Sequence, residues 1–227
     1  MAAPRLVIES VSDHRSPLFS GALRLYNRVF PAEERIDRRY FAQILEEKRL
    51  GVLFPFNLHF LVARVGDRVV GLSTGSFLAL VNVGFVGYLA VAPGTTGARV
   101  GSRLRARLVR EFRRDARAAG HGELFGVMGE VEAANPWLRH LARDGALALD
   151  LDYRQPSLGE GQPHVPLVLY LEGVGRRLAS VPTDRVRGLL YAIYRRIYRI
   201  RFPLRHPAMK HMLRQLAGRR RVGRRRV

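Results

Sequence analysis

Residues 69–98 run for thirty positions without one charged side chain. In a chain where 26% of residues are charged, such a run has to be buried, and it is long enough to cross a bilayer as a helix. Its composition argues against a helix. Gly71, Gly75, Gly84, Gly87, Asn82 and Pro93 interrupt it, and valine is frequent. Two buried strands joined by a tight turn near Asn82-Val83-Gly84 fit it better. Val69, Leu72, Phe77, Leu80, Val83, Phe85 and Leu89 do not alternate strictly, as expected of a strand covered on both faces. The chain is therefore expected to be built on a central sheet.

The flanks supply the rest of an α/β pattern. A short strand is expected over 5–11 and a helix over 17–30, where Leu18, Leu23, Leu25, Tyr26, Val29 and Phe30 recur at helical spacing. Pro31 ends that helix, and a second is expected over about 33–48. Strands at 60–66 and 68–77 pair through a Gly66-Asp67 turn, and 78–91 adds another strand. A long helix follows to about 119, with Val100, Leu104, Leu108 and Phe112 on its apolar stripe. A strand at 124–131, a short helix from Asn135 to Arg143 and a last strand at 165–171 complete the domain.

The 227 residues carry a formal net charge of +20, almost all of it from arginine; Lys48 and Lys210 are the two lysines. Fourteen arginines and Lys210 lie in residues 183–227 against the single Asp184, so this fifth of the chain supplies +14 of the total. We accordingly divide the chain into a domain over 1–175 and a basic helical extension over 176–227. Val186, Leu189, Leu190, Ile193, Tyr194, Ile197 and Ile200 share one face of a helix expected over 184–201, with arginines opposite. A second helix begins at His206-Pro207, and 219–227 read as a disordered basic tail. Several uses of this extension stand open: packing on the domain or on a second copy in a homodimer, lying on an anionic membrane, docking an acidic acyl carrier protein, or nonspecific contact with nucleic-acid phosphates. With no cysteine, disulfides, thiolate metal sites and a cysteine nucleophile are excluded. Asp150 and Asp152 lack histidines at ligand spacing, so no metal site is expected. No signal-peptide pattern is visible at the N-terminus, and a cytoplasmic protein is expected.

The segment richest in chemistry is Tyr88-Leu-Ala-Val-Ala-Pro-Gly-Thr-Thr-Gly-Ala-Arg-Val-Gly-Ser-Arg-Leu104. A strand ends at Val91, small residues turn the chain, and a helix begins. Small residues let backbone N–H groups approach an anion, and the helix N-terminus adds partial positive charge, which suits a pyrophosphate.

That segment resembles the acyl-CoA-binding motif of the GNAT N-acetyltransferases, Leu-Ala-Val-x-Pro followed by Arg/Gln-x-x-Gly-x-Gly/Ala. Phe30-Pro31-Ala32-Glu33-Glu34-Arg35 is similar to a segment between the first two helices of that family. Asn135, Leu141 and Gly145-Ala146 resemble its Asn…Leu-Tyr…Gly-Phe helix. The resemblance covers about residues 5–172. It implies a mixed, mostly antiparallel central sheet splayed at an acyl-CoA site and flanked by helices, and transfer of an acyl group, acetyl first of all, from CoA to an amine of a small molecule or protein.

By the same resemblance Leu89, Ala90 and Val91 meet the pantetheine, Thr96, Gly97, Ala98, Arg99, Val100, Gly101 and Ser102 cradle the pyrophosphate, and Asn135 adds a cofactor contact. Thr96 stands where the motif has Arg or Gln and Arg99 where it has its first Gly. Ala142 replaces the tyrosine used as general acid, and Phe85 a glutamate base. A rival reading follows from those departures: a catalytically impaired GNAT-derived binding or scaffold module working through its basic extension.

An alkylammonium of pKa about 10.4 must be deprotonated to attack a thioester, so a base is needed. Glu130 and Glu132, at the end of the 124–131 strand, are the candidates. Strand alternation puts them on one face. Tyr153 or Tyr88 is the candidate proton donor to the leaving thiolate, and His140 is expected on the surface.

Overall fold

The uncharged run folds as two strands in the computed structural model, which describes residues 5–52, 56–95, 99–156 and 165–225. They are β3 (Arg68–Leu78) and β4 (Val83–Val91). A single 3-10 turn at Ala79–Val81 joins them and ends in Asn82 with φ 53°. Asparagine tolerates that left-handed conformation, and its Nδ2 donates to the Glu123 carbonyl at 2.8 Å. Among the described residues no helix is long and apolar enough to cross a membrane.

Before this pair come β1 (Leu6–Ser10), α1 (Pro17–Val29), α2 (Arg38–Arg49) and β2 (Phe56–Val65). After it come α3 (Val100–Ala118), β5 (Gly126–Val131), α4 (Pro136–Arg143), β6 (Leu147–Ala148), β7 (Tyr153–Gln155) and β8 (Val165–Gly173). The C-terminal stretch adds β9 (Val181–Pro182), α5 (Thr183–Ala192), α6 (Pro207–Gln215) and β10 (Arg221–Val222). The second helix starts later than its periodicity suggests. Pro31 and a 3-10 turn at Ala32–Glu34 keep the chain out of α geometry until Asp37 caps it, accepting from Arg39 N at 2.6 Å.

The chain divides into two units, Met1–Phe77 with Val86–Gly120, and Leu78–Phe85 with His121–Val227. In the first the strand order is β1-β2-β3-β4, with β1 antiparallel to β2. Its core packs α1 and α2 on the strands through Phe19, Tyr26, Phe41, Ile44, Leu45 and Phe60. Tyr26 meets Phe41 and Tyr88 edge-on, pairings worth about 1 kcal/mol each beyond burial. The long helix α3 lies on β3 at Gly71. A Cβ there would come within 2.7 Å of Val100 Cγ1 and 2.9 Å of Leu104 Cδ1, so glycine sets the approach. Asp115 of α3 fastens the helix to β2, accepting from Asn57 Nδ2 at 2.8 Å and pairing with the buried His59 at 2.6 Å.

In the second unit the order is β4-β5-β8-β6, and β7 pairs with β8. This unit takes in the whole of the 176–227 extension. The apolar face of α5 is buried in it through Val186, Leu189 and Leu190, as is that of α6 through Met209 and Met212. The disorder expected over 219–227 is not what the structure gives for 219–225. Arg221 and Val222 pair antiparallel with Pro182 and Val181, and Arg225 N donates to the Ala148 carbonyl at 2.9 Å. Val222 is completely buried. Backbone pairing and one valine thus hold a stretch whose arginine content reads as solvated.

Candidate active site

In the second unit β8 brings Glu130 and Tyr153 to one face. Glu130 of β5 is the register partner of Leu169, and Tyr153 of β7 that of Leu167. Opposite residues in a ladder share a face, and so do residues two apart along a strand. The two side chains therefore converge over β8, and the Tyr153 hydroxyl donates to Glu130 Oε1. The other carboxylate oxygen, Oε2, accepts from the hydroxyl of Tyr198.

Tyr153 is fully buried, while Glu130 and Tyr198 are half-buried. Desolvation pushes the Glu130 carboxyl up to about 7, against the two hydroxyl donors, which hold it down. Burial, and then the neighbouring carboxylate, push the Tyr153 phenol well above its usual range. Tyr194, fully buried beside them, donates to the Arg154 carbonyl, and burial raises its phenol also. A carboxyl titrating near neutrality within a set of phenols that keep their protons is equipped to take up and release one proton.

Glu132 lies just past β5, exposed, where its carbonyl accepts the Asn135 N–H at 3.1 Å. Asn135 itself caps α4, its Oδ1 accepting from Trp137 N at 2.9 Å. His140 is exposed on that helix. Asp152 does meet a histidine, from far along the chain: His211 Nε2 is 2.7 Å from its Oδ2.

The turn after β4 belongs to the first unit. Ala90 is buried, and Leu89 and Val91 are half-buried at the strand end. Thr96, Gly97 and Ala98 lie outside the described residues. Arg99 is exposed, with φ 46°, and leads into α3 without a side-chain cap. The first helical bond runs from Arg103 N to the Arg99 carbonyl at 3.0 Å, so the N–H groups of Val100, Gly101 and Ser102 have no partner within the helix.

No acidic side chain stands in that first turn. Val100 is buried and Ser102 exposed, while Gly101 would bring a Cβ no closer than 3.5 Å to Val91 Cγ2. The Thr95 hydroxyl is buried without a hydrogen-bond partner. A groove of about 890 Å3 reaches Ala92 and Pro93 at the same turn, with Arg24, Arg28 and Arg68 in its lining. Tyr88 is committed elsewhere, its hydroxyl donating to the Glu34 carbonyl at 2.7 Å.

Tyr198 is the site residue that the sequence reading missed. Its helical spacing places it with Tyr191 and Tyr194, and nothing local distinguishes a tyrosine that packs from one that reaches a carboxylate 68 positions earlier.

No protein-family model matches the sequence, and no curated protein does either. Solved structures do match. A protein of the GNAT acetyltransferase family from Bacteroides thetaiotaomicron superposes with a TM-score of 0.64 at 17% identity, over 86% of this chain and 99% of that one. The PaiA N-acetyltransferase of Thermoplasma acidophilum, solved in complex with coenzyme A, gives 0.51 at 12% identity, over 75% and 99%. The ribosomal-protein-alanine N-acetyltransferase of Brucella melitensis gives 0.51 at 20% identity, over 74% and 99%. With its mostly antiparallel sheet flanked by helices, this chain has the GNAT, or acyl-CoA N-acyltransferase, fold.

Proposed function

We propose that the chain is an N-acyltransferase, moving an acyl group, acetyl in the first instance, from a CoA thioester to an amine by direct attack. The observation that carries this reading is the Glu130 carboxyl, held by two tyrosine hydroxyls and titrating near 7 in a chain of this fold. Residues 1–175 act as the acyltransferase domain and 176–227 as its basic helical extension.

The β4–α3 turn fits the anionic part of acyl-CoA. Three N–H groups without a partner inside the nineteen-residue helix they begin, no acidic side chain in its first turn and an unpartnered Thr95 hydroxyl suit a pyrophosphate. Leu89 and Val91 offer backbone groups to the pantetheine, and strand N–H donors polarise the acyl carbonyl. Acyl-CoA, when bound, supplies an activated thioester.

The chain's own task is the proton. An amine arrives as its ammonium, pKa about 10.4, and attacks only once neutral. Glu130, directly or through one water, accepts that proton. A base of pKa near 7 is matched to neutral pH, where its ionised form is abundant and its proton affinity still useful. The new C–N bond forms as the C–S bond breaks, and the departing thiolate takes a proton from solvent. Tyr153 holds the base by donating to it.

The test is thiol release from acetyl-CoA against a panel of small amines and peptide N-termini. Wild type is expected to turn over at least one of them, and Glu130→Gln to lose about 10²-fold or more in kcat, the usual worth of a general base. Turnover that survives Glu130→Gln contradicts the assignment. No turnover by either protein sends the search to thioesters on acyl carrier protein, and failure there favours a binding module that has lost catalysis.

A further inference from the structure

The C-terminal extension reaches the carboxylate by an unusual piece of backbone. After α5 the chain makes a π-helical turn at Ile193–Ile197. The Tyr198 N–H donates five residues back, to the Ile193 carbonyl at 3.1 Å. Arg199 follows with φ 53°, a left-handed conformation that arginine rarely adopts, and Ile200 N then donates to the Tyr194 carbonyl at 2.9 Å. Wide turns of this kind occur as short insertions in helices and gather at functional sites. The extra residue per turn rotates the helix surface by about 100°, one residue's worth, and so re-aims the side chains beyond it.

Anchors on both sides fix the direction. Tyr194 is buried and tied through its hydroxyl to the Arg154 carbonyl, next in sequence to Tyr153. Beyond the turn, α6 packs on β7, and Gln215 brackets Asp152, accepting its N–H at 2.8 Å and donating to its carbonyl at 3.3 Å. The extension thus grips β7 at two points, and between them Tyr198 donates to Glu130.

We propose that Tyr198 is a positioning residue for Glu130, so that the basic extension supplies one of the two hydroxyls keeping the proposed base in its proton-accepting form. The proposal rests on the acyl-transfer reading for its purpose but on the second unit alone for its geometry. A hydroxyl that donates to a carboxylate stabilises the ionised form, so each donor opposes the desolvation that would otherwise leave Glu130 protonated. Among the described residues the titratable groups facing the carboxylate are Tyr153 from β7 and Tyr194 and Tyr198 from the extension. The nearest charge on β7, Arg154, is engaged with Asp152 at 3.1 Å.

The experiment is a carbon-detected titration of the full-length protein carrying 13C-carboxyl glutamate, with the Glu130 signal assigned by its loss in Glu130→Gln. Neither acceptor nor acyl donor is required. The wild-type signal is expected to titrate near pH 7. In Tyr198→Phe, which keeps the ring and loses the donor, the midpoint should rise by about one pH unit, a tenfold gain in proton affinity. Tyr198→Leu should move it the same way, and Tyr191→Phe, on the same helix, should not move it.

An unchanged midpoint in Tyr198→Phe with an otherwise intact spectrum overturns the proposal, as does an equal shift in Tyr191→Phe. If the midpoint rises as expected but the wild type transfers no acyl group from CoA or from acyl carrier protein, the acyl-transfer reading falls while the hold of Tyr198 on Glu130 stands.

Discussion

Replacing Glu130 by glutamine should change how stability depends on pH. Glutamate has a usual pKa of 4.5, and in the folded chain Glu130 sits at about 7. Well below pH 4.5 the group is protonated in both states and costs nothing. As pH rises from 4.5 to about 7, the unfolded chain gives up its proton while the folded chain keeps it, so the wild type loses stability across that window and levels off above it.

At about 1.36 kcal/mol for each tenfold change in proton affinity, the full gap corresponds to about 3 kcal/mol. Allowing for solvent screening at the half-buried side chain brings this to about 2 kcal/mol. Glu130→Gln removes the titration and leaves every other carboxyl in place. Urea unfolding at pH 5 and pH 8, followed by the fluorescence of the single Trp137 on α4, reads the second unit directly. Because the unfolded carboxyl is already partly ionised at pH 5, the wild type should lose about 1.5 kcal/mol relative to the variant between those pH values. Pairs of stabilities that change in parallel, to within about 0.5 kcal/mol, would refute the desolvated carboxylate.

Gly71→Ala should cost about 1–3 kcal/mol in urea or thermal unfolding, because the added methyl meets Val100 and Leu104 at under 3 Å and α3 must lift from β3; a change below about 0.5 kcal/mol would mean that the helix is not seated as described. Deleting residues 176–227 should give insoluble protein, because it uncovers the apolar surface that Leu189, Leu190, Met209, Met212 and Val222 occupy. A soluble truncation with the helix content of an intact 1–175 would show the extension to be dispensable for folding.

Much of the sheet is legible in the sequence because its signals are local. Thirty uncharged residues broken by asparagine and glycines fit buried strands and a turn better than a helix, and the turn lies within two residues of Asn82. Gly66-Asp67 gives the β2–β3 hairpin and Asn135-Pro136 the start of α4 for the same reason. The short strands β6, β7, β9 and β10 leave no such trace. Two or three residues carry no period, and their partners lie elsewhere in the sequence, as Val181 of β9 and Val222 of β10 do.

The candidate site divides along the same line. Glu130 and Tyr153 were accessible as a carboxylate at a strand end and a tyrosine beyond it, and the structure joins them through β8. Glu132, its equal in sequence, ends in solvent because β5 stops at Val131. Tyr198 depends on a π turn, which no propensity encodes, so its part in the site follows from tertiary packing alone.

The account's central claim is acyl transfer from CoA, and its most direct test is acetyl-CoA binding by calorimetry, in moderate salt to suppress nonspecific arginine–phosphate contact. Wild type should bind with a Kd in the micromolar range, about −8 kcal/mol. Gly101→Trp, which fills the open first turn of α3, should abolish binding and leave the far-ultraviolet dichroism unchanged. A folded wild type that binds no acetyl-CoA, or a Gly101→Trp variant that binds it undiminished, would contradict the claim.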